Sequence, residues 1–201
     1  MYHIANDKRA IHSAQKVCES FNKIIQTKPL EEISVSELQR DSKVSRATIY
    51  RLFDTPVDIL LYQMNQIFEE TSRTIFEHKV SNMDELFITL LNIWVGYKPI
   101  WQAAFDNRRS DLIFAAHSQF LSQKKEVVQQ VLGIDDNQSV YLTTFISAAF
   151  TALLLSWLKT GGTEGPEKIR ERMKENLRCF GTLQKMQFMN LEELELPKKP
   201  F

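Results

Sequence analysis

A chain of 201 residues, 43% apolar and 25% charged with no net charge, is long enough to bury a proper core and fits one or two small domains. Only six Gly and six Pro occur, against many Leu, Ile, Phe, Glu, Lys and Gln, which points to long helices joined by short turns and so to an all-α fold. The two cysteines, Cys18 and Cys179, lack the paired spacing of a zinc site or a redox motif, and reduced, packed thiols are expected.

Met1 to Arg9 shows no apolar segment and no small-residue cleavage site, and a cytoplasmic location is the expectation. The apolar positions Ala10, Ile11, Ala14, Val17, Cys18, Phe21, Ile24 and Ile25 then recur at spacings of three and four, predicting a helix from Asp7 to Gln26 that ends at Lys28-Pro29. Ser34-Val35-Ser36-Glu37 reads as a capping box opening a second helix, which can run only to about Ser42 because Ser45 is already a cap for the next. Asp54-Thr55-Pro56 starts a fourth, long helix. Further helices are predicted at about 83–97, 99–106, 109–131, 136–159 and 166–187, followed by a loosely held tail at 191–201. The longest nearly uncharged stretch, Phe145 to Leu158, has 14 residues, short of a membrane span, and no membrane is expected as a partner.

Charge is unevenly distributed. Residues 1–53 carry nine Lys/Arg against six Asp/Glu, a net of +3, and the remaining 148 carry 16 against 19, a net of −3, as suits a protein that docks one end onto phosphates. In the same region two short helices sit three residues apart. That is the helix-turn-helix arrangement, which lays one helix in the major groove while its partner crosses the backbone. Ser45, Arg46, Thr48 and Tyr50 put hydrogen-bonding side chains at the N-terminal end of the second helix, and Leu38, Val44, Ile49 and Phe53 are placed to pack the pair on the first helix.

The run Ile33-Ser-Val-Ser-Glu-Leu-Gln-Arg-Asp-Ser-Lys-Val-Ser-Arg-Ala-Thr-Ile-Tyr-Arg-Leu-Phe53, followed by Asp58-Ile59-Leu60, resembles the tetracycline-repressor (TetR) family of one-component regulators. The resemblance covers roughly the first 60 residues. It implies a three-helix DNA-binding head at 1–54, with Ser34, Lys43, Ser45, Arg46, Ala47, Thr48, Tyr50, Arg51 and Thr55 facing double-stranded operator DNA. Two positions depart from the pattern. Lys43 stands where the family usually has Gly, in a turn that needs a positive φ, and Pro56 stands where it tends to have Lys.

The resemblance further implies a helical body at 55–190 that holds a homodimer interface and a small-molecule effector pocket. Residues 145–158 are apolar on nearly all sides, and small Ser147, Ala148, Thr151 and Ala152 would admit a partner helix. With the next helix they make the expected interface of Phe145, Ala148, Ala152, Leu155, Ile169, Met173 and Leu177. The aromatic-rich middle segment offers Trp94, Tyr97, Trp101, Phe105, Phe114 and His117 for a mostly apolar effector. No cofactor and no metal is expected, since there is no Gly-rich phosphate loop, no Gly-x-Ser-x-Gly, no His-Glu-x-x-His and no clustering of His3, His12, His78 and His117. The competing readings are a small helical enzyme, or a related protein that has lost DNA reading and binds another regulator.

Overall fold

The computed structural model describes residues 1–4, 7–78, 82–126, 129 and 135–186, and within them the fold is all-α. The helices are α1 (Lys8–Ile24), α2 (Val35–Ser42), α3 (Arg46–Leu52), α4 (Pro56–Glu77), α5 (Met83–Gly96), α6 (Lys98–Asp106), α7 (Ser110–Gln123), α8 (Asp136–Lys159) and α9 (Pro166–Met186), with a 3-10 turn at Leu30–Glu32. The expected tail at 191–201 lies outside the described residues. Two compact units are present, residues 1–163 and 164–201.

Helix starts follow from capping. Asp7 accepts from the backbone N–H groups of Arg9 and Ala10, Ser45 from Thr48, and Asn82 from Glu85. Both capping boxes of the head are closed, Ser34 with Glu37 ahead of α2 and Thr55 with Asp58 ahead of α4. Leu38, Ile49, Leu52 and Phe53 are almost completely buried, as are Val17 and Phe21 of α1, so α1, α2 and α3 enclose one small core. Cys18 lies in that core, and burial pushes its thiol up to about 12.

Residues 1–4, ahead of the first predicted helix, form an arm for which the sequence carries no periodic pattern. Tyr2 makes an antiparallel bridge with Phe53, and the His3 N–H donates to the Leu52 carbonyl at 2.8 Å, satisfying an orphan acceptor at the end of α3. The Tyr2 ring meets Tyr62 edge-on with centroids 5.2 Å apart, and Asn65 donates to its hydroxyl. These partners lie far away in the sequence, 63 residues in the case of Asn65, so no local pattern marks them.

In the rest of the first unit, α4 packs on α5, α6 and α7, and α8 packs on α6 and α7. Helix α8 buries Ser147, Phe150, Thr151, Leu154, Trp157 and Leu158 and leaves Val140, Tyr141, Phe145, Ala148 and Ala152 exposed. The nearly uncharged stretch Phe145 to Leu158 is short of a span by itself; the helical stretch Ser139–Lys159 extends it with uncharged residues and is, by length and composition only, long and apolar enough to cross a membrane. It closes in a Schellman motif, with Gly162 N–H donating to Trp157 O and Gly161, in the left-handed region, to Leu158 O. A side chain at Gly162 would place its Cβ 2.7 Å from the Lys98 stem.

In the second unit α9 carries the Glu164–Lys168 and Glu164–Arg172 ion pairs, with Ile169 buried and Met173 half-buried. Leu177 lies within the helix, and its side chain falls outside the described residues.

Candidate nucleic-acid interface and effector site

The turn between α2 and α3 is built from three side chains. Lys43 ends α2 in the left-handed region at φ 59°, as the sequence predicted for a position where glycine is usual. Buried Ser42 accepts from the Val44 N–H at 3.2 Å, and Ser45 Oγ accepts from the Thr48 N–H while bonding the Thr48 hydroxyl at 2.8 Å. Val44 between them is buried.

This turn divides α3 cleanly. Ile49 and Leu52 point into the core, while Ser45, Arg46, Ala47, Tyr50 and Arg51 are exposed and Thr48 is half-buried. Tyr50 keeps 46% of its surface open, large for an aromatic residue, and Arg46 donates to its hydroxyl at 3.3 Å with the guanidinium 5.5 Å from the ring centroid. The two groups therefore steady each other on the open face. A wide cleft of about 650 Å³ next to them is lined by Ser36, Gln39, Arg40, Lys43, Val44 and Ser45. Gln39 and Arg40 were absent from the sequence-based set; their helical register with Ser36 and Lys43 is the signal that would have added them.

The remaining members of that set, Ser34 and Thr55, are also exposed but their donors are already engaged. Ser34 gives its hydroxyl and its N–H to Glu37 at 2.7 and 3.0 Å, and Thr55 gives both to Asp58 at 2.8 Å. Lys28 also donates to Glu37, at 2.5 and 2.6 Å; with Ser34 it holds that carboxyl down to about 2. Both residues thus set the start of a helix and leave its free N–H groups to meet an anion.

In the body, Trp94, Trp101 and His117 come together, and Phe68, Phe120 and Phe150 join them. His117 stacks on Phe150 with centroids 4.4 Å apart, and Phe150 lies 4.2 Å from Trp94. Phe68 meets Trp101, His117, Phe120 and Phe150 at 5.1 to 6.0 Å. Tyr97, Phe105 and Phe114 are half-buried outside this set of ring contacts among the described residues. Tyr97 instead donates to Glu70 on α4, which raises its phenol to about 12.

The polar atoms of the cluster are few. Trp101 Nε1 donates to the Trp94 carbonyl at 2.8 Å, and His117 Nδ1 lies 3.0 Å from Ser147 Oγ. Burial lowers the His117 imidazole to about 4, so it is neutral at pH 7. Trp94 Nε1 is buried with no acceptor among the described residues. A smaller cleft of about 150 Å³ lies elsewhere, between Leu30, Glu31, Ile33, Pro56, Val57, Asn107 and Arg109.

Residues 81–178 match the family model described as a TetR "Transcriptional regulator C-terminal region". No curated protein sequence matches the chain. Among solved structures, Lin0861 from Listeria innocua superimposes with a TM-score of 0.75 at 15% identity, over 89% of this chain and 96% of that one. DhaS, titled a dihydroxyacetone kinase operon activator, gives 0.55 at 18% identity over 84% and 96%. Thermus thermophilus FadR, a TetR-family transcriptional repressor solved with lauroyl-CoA, gives 0.51 at 14% identity over 92% and 100%. The fold is shared along nearly the full length of each, and the C-terminal match complements the helix-turn-helix at the other end. The match over residues 81–178 and the shared fold support a transcriptional regulator of the tetracycline-repressor (TetR) family.

Proposed function

We propose that the protein is a cytoplasmic, homodimeric repressor that binds a near-palindromic operator and is released from it by a small, mostly apolar, uncharged effector. The observation that carries the reading is the division of α3, whose polar residues Ser45, Arg46, Thr48, Tyr50 and Arg51 line one face while Ile49 and Leu52 fill the core. Side chains of that kind read base edges, and Lys43 and Arg51 meet phosphate. Ser34, Ala47 and Thr55 border the contact. A two-fold dimer would set its half-sites about one helical turn, or a multiple, apart.

For assembly, Tyr141, Phe145, Ala148 and Ala152 form one stripe along α8, with Tyr141 81% and Phe145 61% exposed. A second copy of the helix would cover it, with half-buried Leu155 at its border. For the effector, the neutral His117 and the unpaired Trp94 N–H suit a ligand carrying an acceptor and no charge, admitted when Phe150 and its neighbours part. Tyr97, Phe105 and Phe114 then form the outer wall of the site.

A competition assay with the DNA upstream of the protein's own coding region and with random DNA, across a salt series, tests the DNA assignment. Thr48→Ala should alter preference between the two, and Lys43→Ala should weaken both alike. Equal losses on both DNAs for Thr48→Ala would remove it from base readout. No binding by the wild type would remove the function altogether.

A further inference from the structure

The geometry points to Asn107 as the positioning residue through which the body sets the orientation of the DNA-binding head. This inference rests on the reading that effector state in the body governs DNA binding by the head.

Asn107 caps α6, its Nδ2 donating to the Ala103 carbonyl at 2.8 Å. Its Oδ1 accepts from the Leu30 N–H at 2.6 Å, across 77 residues of sequence. Leu30 opens the 3-10 turn directly after Pro29, so its N–H has no partner within the turn, and the residue itself is buried. Leaving that donor unmet would be costly, which makes the bond a firm one.

What Leu30 belongs to gives the bond its reach. Lys28, Ser34 and Glu37 close residues 28–37 on themselves through the bonds described above, and that closed segment is the start of α2. Pulling on Leu30 therefore moves the N-terminus of α2 as a piece. At the other end of α6, Trp101 sits in the aromatic cluster, tied by Nε1 to Trp94 O and by ring contacts to Phe68 and Phe150. Six residues of helix, roughly 9 Å, separate Trp101 from Asn107.

The turn after Asn107 is held as well. Arg109 N–H donates to Ala104 O and Arg108 N–H to Phe105 O, the bonding of a Schellman motif, with Arg108 at φ 56° where glycine is usual. The 150 Å³ cleft around Leu30, Ile33, Pro56, Val57 and Asn107 shows that apolar packing does not fill this joint, so the hydrogen bond holds what side-chain contact does not.

The test is a double-mutant cycle on the full chain, read by hydrogen exchange at the Leu30 amide and along α2. Asn107→Ala should speed exchange at Leu30 by roughly two- to tenfold, and Asn107→Asp, which keeps the acceptor, should restore much of the protection. Trp101→Phe perturbs the cluster without a ligand, and Ser147→Ala, which removes only the partner of His117, serves where the tryptophan variant fails to fold. Either should change exchange in α2 when Asn107 is present and leave it unchanged in the Asn107→Ala background. The same change in both backgrounds, or unaltered Leu30 exchange in Asn107→Ala, would overturn the role. Exchange needs no DNA, so a wild type that ignores the upstream fragment would defeat the proposed function while the cycle still decides the coupling.

Discussion

The head and the aromatic body are held by different kinds of interaction. In the head, each helix start is fixed by a side chain two or three residues away, as in Asp7–Arg9, Ser34–Glu37, Ser45–Thr48 and Thr55–Asp58. In the body, Phe68, Trp94, Trp101, His117 and Phe150 come from five helices spread over more than 80 residues, and ring contacts hold them. Local bonds leave a face free for a partner, whereas a cluster gathered from five helices places one helix's position at the disposal of the others. The first arrangement suits recognition and the second suits response.

The largest expected effect sharpens that contrast. Trp101 is fully buried and bonded to the Trp94 carbonyl, so Trp101→Ala should cost about 3–5 kcal/mol, read as a lower denaturant midpoint with an unchanged slope. Tyr50→Ala, on the open face of α3, should stay within about 0.5 kcal/mol. Comparable losses for the two would mean that the head's outer face is structural.

The same contrast decided what could be read from the sequence. Capping boxes, the Lys43 turn and the apolar positions Leu38, Val44, Ile49 and Phe53 are local patterns, and the chain alone shows them. The arm at 1–4 is invisible to that reading because its partners, Leu52, Phe53, Tyr62 and Asn65, are remote. The aromatic cluster was legible in part. Trp94, Trp101 and His117 stand out by composition, but Phe150 sits in the helix expected at the dimer seam, Phe68 in a long helix with no expected role, and Tyr97 turns to Glu70. Asn107 gave no sign beyond a helix break, since its partner is a backbone N–H in another part of the chain.

Next in size is the proposed seam. Ala148 is exposed along the α8 stripe, so Ala148→Arg should leave the protomer folded but bury an unpaired charge in a dimer, at a cost of several kcal/mol. Sedimentation should show a folded monomer with unchanged helicity. A variant that stays dimeric would move the interface to another face.

His117 distinguishes the regions by pH. Its folded value of about 4 lies below the ordinary 6.5 because burial disfavours the charged ring, so the unfolded chain takes up the proton first as pH falls. Stability from this group is therefore complete above pH 6.5, declines between 6.5 and about 4, and is flat below; the whole change is on the order of 3 kcal/mol. His117→Asn should lose this decline. Urea unfolding at three pH values in that window checks it, and parallel slopes for both proteins would assign the acid sensitivity to other groups.

The smallest effect has opposite signs for stability and for binding, and it lies in the turn that defines the head. Lys43 occupies the left-handed region at φ 59°, which costs a side chain roughly 1 kcal/mol that glycine would not incur. Lys43→Gly should therefore raise the stability of the head by about 0.5 kcal/mol, because the greater freedom of glycine in the unfolded chain takes back part of the gain. It also removes an exposed cation beside Arg40 and Ser45. On DNA the variant should bind all sequences more weakly, with the slope of log affinity against log salt reduced by about 1. Lys43→Ala separates the two terms, since it loses the charge but keeps the strain. If Gly and Ala weaken DNA binding equally while only Gly stabilises, Lys43 holds its unfavourable backbone for the sake of a phosphate contact; if neither changes the salt slope, the residue faces solvent in the complex and the strain serves only to shape the turn.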